Sequence, residues 1–213
     1  VVAPVLFKGG CNITMNDLTD GVLNLTLGTG GSITLQTTTG CISFVDTTNT
    51  ILTSGGNSIS ILAGGLALVG NLDTSAAGAV SVNAPGGIDI GTVTGTTVNL
   101  TSDGNVFQFG VLTATTLNLT GSTAGGGDFF LNTQNNVLGT VQSAGTIDAA
   151  LIRDIVGFTV GTLTTDNLVT LHSDGTVIQT GVITAPSLTL TSSSSGSGDF
   201  VLNTQNNVLG TVN

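Results

Sequence analysis

The stretch that decides the fold is GDFFLNTQNNVLGTV at residues 127–141, which returns as GDFVLNTQNNVLGTV at 198–212. Upstream, SDGNVFQFGVLTA at 102–114 returns as SDGTVIQTGVITA at 173–185. Together these align 96–141 with 167–212 at an offset of 71 residues, with 30 of the 46 positions identical. A repeat of this length in a 213-residue chain points to repeat architecture before any single element is assigned.

Seventy-one residues exceed one solenoid coil. Inside the unit, shorter apolar–x–apolar beads recur roughly every 18–24 residues: LNL at 117–119, FFL at 129–131, FTV at 158–160 and LTL at 188–190. Residues 1–95 carry similar but less regular beads, among them ITL at 33–35, ISI at 59–61 and VSV at 80–82. We therefore divide the chain into less regular N-terminal coils, 1–95, and a repeat solenoid, 96–213.

Alternate side chains of a strand face opposite ways, so Ile59-Ser60-Ile61 sends two Ile inward and one Ser outward. Such a bead cannot close a core alone. Stacked on its neighbours about 4.8 Å apart, it forms a parallel sheet over columns of Val, Leu and Ile. The expected fold is all-β, a right-handed parallel β-helix of about 9–11 coils. Gly should supply left-handed corners, and Asn135, Asn136, Asn206 and Asn207 should sit at corners or form amide ladders. A β-sandwich is the rival, but it has little need of duplicated sequence.

Composition narrows function. Lys8 and Arg153 are the two basic residues against twelve Asp, for a net charge of −10. Two cations cannot neutralise a run of phosphates, so nucleic-acid binding is excluded, and the charge disfavours anionic lipid surfaces. Good helix formers are scarce: there is no Glu and one Met. The longest apolar run, ILAGGLALVG at 61–70, is about half a membrane span, so no membrane insertion is expected. The opening VVAPVLF has no charged region before an apolar one, so the chain reads as a mature form or a piece of something longer.

The run GVITAPSLTLTSS…GDFVLNTQNNVLGTV, with SAGTIDAALIRDIVGFTVGTLTTDNLVTLHSDGTVIQTG after the first copy, resembles the repeat region of filamentous haemagglutinin-type exoproteins. These are very large bacterial proteins secreted through a dedicated outer-membrane partner. The resemblance covers 96–213 well and 9–95 in texture. It implies a right-handed parallel β-helix, a secreted or cell-surface location, and a role in adhesion, biofilm matrix or competition. The family's secretion and effector domains have no counterpart in these residues, so those functions are not carried over.

The candidate sites are sparse. Asp103 and Asp174 occupy matching S-D-G turns, and Asp128 and Asp199 matching G-D-F turns. Corner carboxylates can bind calcium, but the nine-residue tandem spacing of calcium-binding repeats is missing, and turn chemistry is the simpler reading. No other metal and no cofactor is expected. Cys11 and Cys41 are either one disulfide or two small apolar thiols. Arg153 beside Asp154 reads as an exposed ion pair or a small irregular insertion, and His172 as a surface residue. The N-x-S/T triplets at Asn12, Asn24, Asn99 and Asn118 read as turn and strand sequence.

No paired carboxylates or Ser/His/Asp set emerges, so the chain is read as a non-enzyme: a rod or fibre unit, with host or matrix glycans and its own copies, stacked head to tail, as partners. The alternatives are a polysaccharide-active β-helix and an ice-binding solenoid presenting flat Thr columns such as TLNLT at 116–120.

Overall fold

The structure is a computed structural model and describes residues 5–15, 24–26, 31–45, 51–75, 77–121, 126–193 and 198–213. Among these there are 22 strands and no helix, and hence no helix long and apolar enough to cross a membrane. Every strand pairing is parallel. The expected β-solenoid is therefore the fold.

Two columns of paired strands run the length of the molecule. The first face stacks Val5, Ile33, Ile59, Val80, Val98, Leu117, Val141, Val160 and Gln179. The second stacks Ile13, Ile42, Ala67, Ile88, Val106, Phe129, Ala150, Val169, Leu188 and Val212. Shorter strands such as Ile51–Thr53 and Asn71–Asp73 form a third side. Three strands to a turn give about seven turns. Long strands such as Val93–Thr101 and Leu112–Thr120 bend round a corner and serve two sides, so the second face alone carries ten rungs. These counts stand beside the nine to eleven coils expected from the beads.

The core is aliphatic. Ile59, Ile61, Val98, Leu100, Leu117, Leu119 and Phe129 are fully buried, while the intervening Ser60, Asn99 and Asn118 are half-exposed. The alternation read at Ile59-Ser60-Ile61 holds along the ladder.

The 71-residue repeat does not match a whole number of turns. Val98, Leu117 and Val141 lie on the first face, but their counterparts Val169, Leu188 and Val212 lie on the second. Conversely, Phe129 stands on the second face and its counterpart Phe200 on the first. Three turns carry the chain from Val98 to Val160, and the residues that remain carry it across to Val169. The second copy is thus the first copy rotated about the axis by one face. The rotation is made at 142–154, where Gly145 has a φ of 82° and the strand Thr146–Asp154 takes the second face.

Some glycines are required for space rather than for a positive φ. A Cβ on Gly104 would lie 2.6 Å from the carbonyl oxygen of Gly86, and one on Gly175 would collide with the carbonyl oxygen of Val156. Neither has a positive φ. The corner backbones of successive coils approach so closely that a methyl group has no room.

Candidate functional site

Of the four candidate asparagines, two are brackets between coils, Asn136 buried and Asn207 half-exposed. Asn136 is fully buried. Its Oδ1 accepts from the Leu112 N–H at 2.9 Å and from Gln108 Nε2; its Nδ2 donates to Leu131 O at 2.9 Å and to Gln108 Oε1 at 3.3 Å. Asn207 repeats the arrangement with Ile183, Gln179 and Leu202. Each bracket ties its segment to the preceding coil, Asn136 from a register shift within the strand Gly126–Ala144, and satisfies both ends of the paired amides. Asn135 and Asn206 are exposed. The partners are Gln108 and Gln179, so the inward amides form cross-coil pairs and not a continuous Asn ladder.

A continuous amide ladder does exist, but on the outside. Asn99 Nδ2 donates to Ser81 Oγ at 3.0 Å, Asn118 Nδ2 to Asn99 Oδ1 at 2.7 Å, and Gln142 Nε2 to Asn118 Oδ1 at 2.9 Å. Reading Asn99 and Asn118 as isolated triplets missed it. The signal was present in TVNLT and TLNLT, 19 residues apart, which place Asn over Asn in register. Beside this ladder Thr97, Thr116, Thr140 and Thr159 form an outward column four rungs long, between Ala79 and Ile178. On the second face Phe107 and Phe130 stack outward, with ring centroids 5.1 Å apart and planes 8° from parallel; Ile178 and Val201 replace them in the second copy.

The turn aspartates divide. Asp174 is a cap: its Oδ1 accepts from the Ser193 N–H at 2.7 Å and its Oδ2 from Ser193 Oγ at 2.9 Å. Those bonds, chiefly, hold its pKa below the ordinary carboxylate value, with His172 and Arg153 adding to the effect. The backbone carbonyls of Asp103, Asp174 and Asp199 accept from Gly127, Gly198 and Val177 of a neighbouring rung at 3.1, 3.1 and 2.7 Å. Asp128 instead lies beside Asp148, a residue not singled out in the sequence. Burial first, then the shared hydrogen bond and repulsion with Asp148, push its pKa up. Among the described residues there is no group of three or more His, Cys, Asp or Glu placed to hold a metal ion.

Two sequence readings need correction. Asp154 is not an exposed partner of Arg153. Strand alternation turns it inward, where it is fully buried. It accepts from Leu138 N at 2.7 Å, Val156 N at 2.7 Å and Gly157 N at 2.6 Å. Burial raises its pKa despite these three donors. Cys11 and Cys41 are free thiols, so the disulfide reading is not realised. The register Ile13↔Ile42 sets Cys41 beside Asn12, whose Oδ1 accepts from the Cys41 N–H at 2.9 Å. It leaves the two cysteines one residue out of step.

His172 has more company than a surface histidine requires. It stands in register between Arg153 and Thr191. Its Nδ1 is 3.0 Å from Thr191 Oγ1 and its Nε2 is 3.1 Å from Ser193 Oγ. The proton count defines the cluster. Ser193 gives its hydroxyl proton to Asp174, so His172 Nε2 must be the donor to Ser193. In that arrangement the imidazole cannot act as general base towards Ser193, and Asp174 does not orient the imidazole. The cluster is a hydrogen-bonded corner.

No protein-family model matches the chain, and no curated protein and no solved structure matches it.

Proposed function

We propose that the chain is a structural, extracellular rod or fibre-forming segment of a bacterial surface adhesin or matrix protein, of the kind built by filamentous haemagglutinin-type exoproteins. The observation that carries this reading is the unbroken second-face ladder from Ile13 to Val212. Each interior rung hydrogen-bonds to both neighbours, so the molecule resists bending and presents few frayed segments to proteases. End-to-end stacking supplies extension. A parallel ladder can be extended at its edge by a further strand of another copy.

Electron microscopy and sedimentation of the purified chain at rising concentration test the proposal. Rods that lengthen in steps of one molecule are expected. Compact particles of fixed mass that are readily digested by protease would overturn it.

A further inference from the structure

The outside of the second face carries an apolar strip that the core does not need. Phe107 and Phe130 point outward from adjacent rungs with their rings stacked. Phe107 is 41% exposed, Phe109 two residues on is exposed too, and Leu151 follows Phe130 on the next rung. An exposed aromatic strip on a soluble rod calls for a partner.

The residue before the strip says what that partner carries. Asp89 stands in register between Leu68 and Phe107, pointing outward between buried Ile88 and Ile90. Its apolar neighbours take water from it, and that burial raises its pKa. Among the described residues no hydrogen bond or ion pair reaches its carboxylate. The chain's two basic residues do not serve it. Lys8 is on the first face, and Arg153 lies three rungs away, about 14 Å along the axis, where it acts on Asp174. Phe130 covers one face of Phe107 and leaves the other to the Asp89 rung. A half-buried carboxylate without a counter-charge is costly, and the negative face of a ring beside it adds repulsion. A cation laid between the two removes both costs.

We propose that this strip docks an arginine-bearing segment of a basic protein partner. A guanidinium is flat, so it extends the stack by one layer over the free face of Phe107 while its N–H groups donate to Asp89. Asp128, outward on the Phe130 strand, and Asp148, hydrogen-bonded to it, receive a second cation. They lie two rungs and two residues from Asp89, about 12 Å, which three or four residues of extended chain span. The net charge of −10 draws such a partner in. The second copy supplies an internal control. There Thr159, Ile178 and Val201 hold the places of Asp89, Phe107 and Phe130, with neither ring nor carboxylate among them. The inference goes beyond the rod reading and does not rest on it, since a chain that never stacks can still bind.

The test is a methyl-detected NMR titration of the full chain with the peptide acetyl-GRSSRG-amide and with the same peptide carrying Lys, Gln or Glu in place of Arg. The arginine peptide should move the Leu68 and Leu151 signals in a saturable way and leave Ile178 and Val201 unmoved. The lysine peptide should bind more weakly, because an ammonium does not stack, and the glutamine and glutamate peptides should not bind. Asp89→Thr and Phe107→Ile install the residues that the second copy holds at the same places. They should weaken the arginine peptide about five-fold and about three-fold. Neither should lower the Tm enough to account for lost binding. Asp166→Asn removes the same charge from an exposed position on the strand Leu163–Ser173 and should change affinity less than about two-fold. The proposal is overturned if the arginine peptide moves no signal in a saturable way, if the lysine or glutamine peptide binds as tightly, if Ile178 and Val201 move with Leu68, or if Asp166→Asn weakens binding as much as Asp89→Thr.

Discussion

Gln108 and Asn136 exchange hydrogen bonds through both ends of their amides, and Gln179 and Asn207 do the same 71 residues later on a different face. Asn136 is wholly enclosed, while Asn207 lies on the last rung and is half-exposed. Replacing Asn136 by Leu strands the Leu112 amide, the Leu131 carbonyl and the Gln108 side chain. The expected loss is about 3 kcal/mol or more in urea unfolding. Asn207→Leu should cost less, and Asn135→Ala within about 0.5 kcal/mol of nothing. Equal losses at Asn135 and Asn136 would contradict the bracket.

The corner glycines give a second expectation. Gly104→Ala forces a methyl to within 2.6 Å of the Gly86 carbonyl and must separate two coils. Unfolding free energy should fall by about 2–3 kcal/mol. Gly10→Ala, where nothing lies within 4 Å of the added carbon and φ is not positive, should be neutral or raise stability by about 0.5 kcal/mol through the unfolded state.

The period-2 beads and the repeat made the fold legible, because each bead carries its own inside and outside. Ile59 and Ile61 are buried as read. The rotation of the second copy was not legible: a repeat length states how far apart equal sequences lie, not how many residues a turn consumes. Asn135 and Asn136 look alike in sequence, and only the register shift between Leu131 and Asn136 decides which turns inward. Asp154 was misread because its neighbour Arg153 suggested a pair, whereas adjacent strand residues face opposite ways.

Stability should rise on mild acidification. Burial raises the pKa of Asp89, in register between Leu68 and Phe107, and of Asp154, and burial with Asp148 raises that of Asp128. A carboxyl with a raised folded pKa holds its proton more tightly when folded. Its contribution is complete below the unfolded value, about 3.9, and is lost as pH climbs through the folded one. Asp174, with a lowered pKa, acts in the opposite sense, losing its contribution as pH falls through its folded value, but it is exposed and counts for little. Tm should therefore increase from pH 7 towards pH 4. Asp148→Asn should raise Tm at pH 7 and change it little at pH 4. A Tm that falls steadily over that range would contradict this assignment.

Thiol titration checks the cysteine corner. Cys11 is exposed and Cys41 partly so. Two thiols per chain should react with a disulfide reagent after denaturation without reductant, and Cys11 should react first in the folded protein. Zero reactive thiols would mean the covalent link forms after all.

The central claim is that rungs succeed one another in parallel along one axis, and spin-label distances test it most directly. Ser43, Leu68, Asp89, Phe107, Phe130, Leu151 and Thr170 share one outward column of the second face. With Cys11 and Cys41 replaced by Ser, labels at Asp89 and Thr170 should lie about 19 Å apart, and at Ser43 and Thr170 about 29 Å, growing by about 4.8 Å per rung. Distances that do not grow with rung number would contradict the solenoid.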